Sequence, residues 1–124
     1  MEIIRTVINS DLKDIKKFRD KLLVLLEDRD YDADYIFKLR LILDELTSNS
    51  YKHGNMKDRL KLIEICVKLT DTYSYIKVKD EGSGICRKNP ADLFAENGRG
   101  IRLVETLSDE IVVCENAIAC LIYV

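Results

Sequence analysis

The chain has 124 residues, the size range of one domain, in which folding buries roughly two-thirds of the surface that the unfolded chain exposes. With 47% hydrophobic and 34% charged residues, one proline and five glycines, the composition excludes collagenous, low-complexity and disordered classes. Twenty basic residues against twenty-two acidic ones leave a formal charge of -2, which offers nucleic acid no overall attraction, and no apolar run approaches the ~20 residues of a membrane helix.

The start, Met1-Glu2-Ile3-Ile4-Arg5, lacks a basic stretch followed by an apolar signal segment, so a cytoplasmic location is expected. Residues 2–8 mix β-branched and charged side chains and predict a first strand. From Ser10, the recurrence of Ile15, Phe18, Leu22, Leu25 and Leu26 predicts an amphipathic helix with Ser10 or Asp11 as its N-cap. A second helix is expected from 32–34 to Lys52, with Tyr35, Leu39, Ile42 and Leu46 on one stripe and Gly54 as its stop. Residues 61–69 and 73–80 alternate and are rich in Ile, Val and Tyr, which predicts an antiparallel hairpin around Thr70-Asp71-Thr72.

Residues 81–98 turn polar, carry glycines and the single proline, Pro90, and predict an irregular loop. Ile101, Val104 and Leu107 then predict a helix over 100–107. Residues 110–114 and 117–124 form two apolar strands around the turn Glu115-Asn116. Both hairpins come late and no βαβ series is present. The expectation is a single α+β domain over 1–124, a two-layer sandwich in which helices cover one face of a mixed, mostly antiparallel sheet. Cys66, Cys86, Cys114 and Cys120 show no C-x-x-C spacing, and His53 alone completes no familiar zinc set with them. Three of the four lie in apolar strand-like runs, where a cysteine is usually a small buried hydrophobe.

Three places carry candidate chemistry. Glu45 and Asn49 are four apart on the second helix, about 40° from each other in projection, at the edge of its apolar stripe. There the Asn49 amide oxygen suits magnesium, which takes hard oxygen ligands, and Glu45 suits a general base; a solvated helix edge accounts for the same pattern. Asp80 falls on the same face as Ile76 and Val78. A carboxylate there either bonds its own following backbone, as Asp80-Glu81-Gly82 allows, or accepts from the exocyclic amine of adenine, with Gly82 and Gly84 letting the backbone pass close to the base. Gly98-Arg99-Gly100 directly precedes a predicted helix, either as a flexible lead-in or as an anion site made by free N–H groups. Neither G-x-x-x-x-G-K-[ST] nor G-x-G-x-x-G occurs.

Taken in order, Leu43-Asp44-Glu45-Leu46-Thr47-Ser48-Asn49-Ser50-Tyr51-Lys52-His53-Gly54 resembles the N motif of the GHKL (Bergerat-fold) ATPases and kinases. Asp80-Glu81-Gly82-Ser83-Gly84-Ile85 resembles their first glycine motif and Asn97-Gly98-Arg99-Gly100-Ile101 their second. The run from Gly98 to Glu110 and the small size are most similar to the bacterial anti-sigma factor serine/threonine kinases. This resemblance implies a cytoplasmic switch protein, dimeric in the family's manner, that sequesters a sigma factor and uses Mg2+ and ATP to phosphorylate a serine on an anti-anti-sigma-like antagonist. It implies Asn49 as the magnesium ligand, Glu45 as the general base and Asp80 as the adenine reader. Gly82, Gly84, Gly98 and Gly100 would shape the nucleotide site, with Arg99 reaching the terminal phosphate. Lys52 and His53 fit the motif in a structural or a phosphate-proximal role. The final turn departs from the family in reading Glu115-Asn116-Ala117 where relatives commonly carry Gly-Thr, and the loop over 85–97 is short. A nucleotide-gated binding module without phosphotransfer is the alternative. A sensor histidine kinase is disfavoured because the one histidine lies inside the N motif.

Overall fold

The computed structural model describes residues 1–82 and 98–124, with the backbone alone for 98–101. Its elements are β1 (Glu2–Asn9), α1 (Leu12–Glu27), α2 (Ala33–Asn49), a π-helical turn (Ser50–Gly54), β2 (Leu62–Leu69), β3 (Tyr73–Lys79), α3 (Gly98–Leu107), β4 (Glu110–Cys114) and β5 (Ala117–Tyr123). The strands form one sheet in the order β1-β2-β3-β5-β4, and all four pairings are antiparallel rather than mixed.

Period-two alternation decides the layers. Ile63, Ile65, Val67 and Leu69 of β2, Ile76 and Val78 of β3, and Ile118, Cys120 and Ile122 of β5 all point to one buried face. The helices lie over that face with Ile15, Phe18, Leu22 and Leu26 of α1 and Leu39, Ile42, Leu43 and Leu46 of α2. Each such side chain contributes about 1.5–3 kcal/mol on burial. The α+β, two-layer architecture follows directly from these two periodicities. Tyr35 ties the layers together: its hydroxyl, 2.8 Å from Ser74 Oγ, donates to Ile122 O at 2.9 Å. At the start of α1, Asp11 rather than Ser10 is the cap, its side chain accepting from Lys13 N–H at 2.8 Å.

Three expectations change. Helix α2 does not run to Lys52; after Asn49 it widens into the π turn, in which Asn55 N–H reaches back five residues to Ser50 O at 2.7 Å. Helix α3 begins at Gly98, so Gly98, Arg99 and Gly100 form its first turn instead of preceding it. Among the strand cysteines only Cys120 is fully buried, its thiol pushed up to about 12 by burial, while Cys66 is half-buried and Cys114 exposed. The reason is register: Cys66 and Cys114 alternate with the inward Ile65, Val67 and Val113, which turns them to the face that no helix among the described residues covers.

Candidate functional site

Helix α2 brings two adjacent carboxylates into different surroundings. Asp44 faces α1 and sits between Arg19 at 3.5 Å and Arg40 at 3.8 Å, a partly exposed cluster of the kind that contributes little to stability. Glu45, about 100° further round, is half-buried, as is Asn49 one turn on. The Asn49 amide nitrogen is buried with no hydrogen-bond partner. Among the described residues this donor has no partner, and a buried polar group in that state calls for one.

The continuation of α2 meets the end of β3. Asp80, the residue after β3, is 6% exposed, and Gly82 N–H donates to its Oδ1 at 2.8 Å. Burial pushes the Asp80 carboxyl above the ordinary carboxylate range, opposed by the Gly82 N–H, the Ser50 hydroxyl and the Lys61 charge. Ser50 and Gly54, at the two ends of the π turn, lie against this carboxylate. A Cβ on Gly54 would overlap all three carboxylate heavy atoms, and one on Gly82 would stand 2.7 Å from Gly54 O and 2.8 Å from Asp80 Oδ1. Gly54 is therefore glycine because Asp80 occupies the space beside it; its φ lies outside the left-handed region expected of a helix stop.

Of the residues singled out by sequence, Asp80 and Gly82 are thus together, against the turn that prolongs the helix of Glu45 and Asn49. Of the two readings of Asp80, the bond from its own following backbone is present, on one carboxylate oxygen. Helix α3, opened by Gly98, Arg99 and Gly100, packs on α2. Gly84 lies outside the described residues, and Lys52 and His53 are exposed. Sequence reasoning missed Ser50, Asn55 and Asn116. Asn55 is fully buried. Its Oδ1 accepts from Glu81 N–H at 2.8 Å and its Nδ2 donates to Leu62 O at 3.0 Å. Asn116 Nδ2 donates to Asp80 O. No local pattern announces these bonds, because their partners are distant in sequence.

A helix-and-sheet layer of this order, with a buried aspartate after the third strand and a glycine-opened helix packed on the motif helix, defines a nucleotide-type ATPase domain. The family model for the histidine kinase-like ATPase domain matches residues 8–122, and the chain belongs to that family. Two curated relatives are the anti-sigma F factors of Geobacillus sp. (strain WCH70) and Geobacillus thermodenitrificans (strain NG80-2). Each is 28% identical over 92 residues, covering 68% of this chain. The chain spans 63% of the length of each. Among solved structures, the RsbU and RsbW domains of Rv1364c from Mycobacterium tuberculosis share the fold, with a TM-score of 0.66 and 16% identity over 99% of this chain and 31% of that one. No helix among the described residues is long and apolar enough to cross a membrane.

The residues present fit the nucleotide and metal that such a family implies. The Asn49 amide nitrogen, without a partner among the described residues, is a donor that suits a phosphate or water oxygen, its Oδ1 is the atom that could take a cation, and the buried Asp80 carboxylate could accept from an amine. Among the described residues no three His, Cys, Asp or Glu side chains converge on a metal.

Proposed function

We propose that this chain is a magnesium-ATP-dependent protein serine kinase and an anti-sigma-factor-like switch, acting on a serine of an antagonist protein. The observation that carries the reading is the burial of Asp80 against the turn that prolongs α2, the helix whose last turn bears Glu45 and Asn49. Family membership and the likeness to two anti-sigma F factors support it. By that likeness its partners are a sigma factor and an anti-anti-sigma-like protein, and its state a cytoplasmic homodimer.

When bound, magnesium-ATP supplies the phosphoryl group to be transferred and the cation that offsets its charge. Glu45 would hold the attacking hydroxyl and take its proton on a carboxylate oxygen, as a general base, while the hydroxyl attacks. Asn49 would lend its amide oxygen to the metal. Asp80 would accept from the exocyclic amine of adenine, an ionised carboxylate being acceptor-only. By the family resemblance, Gly82, Gly84, Gly98 and Gly100 would shape the nucleotide site, and Arg99 would reach the terminal phosphate.

Calorimetric titration of ATP with and without magnesium tests the site, beside Asn49→Ala and Glu45→Gln. Wild type is expected to bind in a magnesium-dependent way, Asn49→Ala to lose that dependence, and Glu45→Gln to bind while failing to label an antagonist protein. Absence of ATP binding in the wild type would overturn the kinase reading. Binding with no transfer by the wild type would leave a nucleotide-gated binding module.

A further inference from the structure

The peptide group that joins Asp80 to Glu81 is held at both ends by asparagine side chains from opposite sides. Its N–H, carried by Glu81, donates to Asn55 Oδ1 at 2.8 Å, and its carbonyl, carried by Asp80, accepts from Asn116 Nδ2. Each clamp is itself anchored. Asn55 closes the π turn on Ser50 O and donates from Nδ2 to Leu62 O, so it joins the end of α2 to the start of β2. Asn116 sits in the β4–β5 turn, where its own carbonyl accepts from Asp80 N–H at 3.0 Å.

One partner would satisfy a buried N–H. Two side-chain amides on a single peptide do more, because they determine the orientation of its plane. Because Asn116 O also takes the Asp80 N–H, both backbone groups of Asp80 are held, and with them the direction of its Cα–Cβ bond. A rotation of about 20–30° swings the carboxylate oxygens by roughly 1 Å, enough to spoil a hydrogen bond whose distance and angle are both restricted.

We propose that Asn55 and Asn116 are positioning residues that grip the Asp80–Glu81 peptide and thereby set the nucleobase selectivity of the site toward purines bearing an exocyclic amine. The inference rests on the nucleotide-binding reading given above. It assigns the selectivity to two residues outside the motifs that carry the family resemblance. In this chain the turn Glu115-Asn116 does so by gripping the backbone of the aspartate.

The test compares ATP with inosine triphosphate, which carries a carbonyl where adenine carries its amine, by titration in magnesium on wild type, Asn55→Ala, Asn55→Asp and Asn116→Ala. Wild type is expected to favour ATP by at least about tenfold, since a site built to bond a substrate group rejects the analogue lacking it. In Asn55→Ala and Asn116→Ala the preference should shrink to about threefold or less through loss of ATP affinity, with inosine triphosphate affinity unchanged. Asn55→Asp keeps an acceptor for Glu81 N–H and should retain more of the preference than Asn55→Ala. A merely structural role would weaken both nucleotides alike. An unchanged ratio in folded Asn55→Ala and Asn116→Ala overturns this inference and leaves the nucleotide reading standing. A wild type that binds neither nucleotide overturns both. If Asn55→Ala does not fold, the ratio in Asn116→Ala decides alone.

Discussion

Replacing Gly54 by alanine places a methyl group where the Asp80 carboxylate now lies. The added carbon overlaps the carboxylate carbon and both oxygens, so either Asp80 or the π turn has to move. Overpacking of a filled site costs about 1–3 kcal/mol. Displacing the carboxylate also breaks its bond from Gly82 N–H, a contact to a charged group that contributes about 1.5–3 kcal/mol. Against these, alanine restricts the unfolded chain and returns about 0.4–1 kcal/mol, since Gly54 needs no left-handed φ. The net expectation is a loss of about 3–4 kcal/mol, the middle of these ranges. In urea, with a slope of about 1–3 kcal/mol/M for small proteins, the unfolding midpoint should fall by about 1–4 M. The double-mutant cycle isolates the cause: in an Asp80→Ala background the same Gly54→Ala change should cost less than about 1 kcal/mol. A single variant whose midpoint lies within about 0.3 M of wild type, or a cost that persists without Asp80, would refute the steric argument.

Two further outcomes follow from buried polar groups. Because burial raises the Asp80 carboxyl in the folded state, the native chain holds that proton more tightly than the unfolded one, and this group's contribution to stability falls as pH rises from the ordinary carboxylate value through the raised one. Asp80→Asn removes that contribution and keeps an oxygen for Gly82 N–H. Urea titrations across that window should show wild type losing stability relative to Asp80→Asn as pH increases, while the variant loses ATP; a constant difference would contradict the sign. Tyr35→Phe strips the buried bridge to Ser74 and Ile122 and should cost about 1–3 kcal/mol by thermal unfolding, with no change if the hydroxyl contributes nothing net.

What the sequence disclosed divides by range. Stripes such as Ile15, Phe18, Leu22 and Leu26, and alternations such as Ile63, Ile65, Val67 and Leu69, are local consequences of 3.6- and two-residue periods, and the layers followed from them. The cysteine expectation went astray because apolar neighbours indicate a strand without saying which face a given residue takes; Cys114 differs from Val113 only by one step of the pleat. The start of α3 was placed two residues late because glycines carry no side chain for a periodicity to register. Gly54 was legible as a special position and illegible as to why, since the carboxylate it accommodates belongs to a residue 26 positions further along, just after β3. The two-sided hold on the Asp80–Glu81 peptide was invisible for the same reason. Asn55 and Asn116 acquire meaning only when three distant stretches meet.

The order of the strands has a bearing on assembly. Strands β2 and β3 form a local hairpin, and so do β4 and β5, but β3 joins β5 only when Tyr73 finds Tyr123 and Lys79 finds Ala117 across a long intervening stretch of sequence. Closing such a long loop is the slow, entropically costly kind of step in folding. Asp80 lies on one side of that seam and Asn116 on the other. Partly folded chains with both hairpins formed but unjoined therefore lack the grip on Asp80, and a complete site exists only in molecules whose seam has closed.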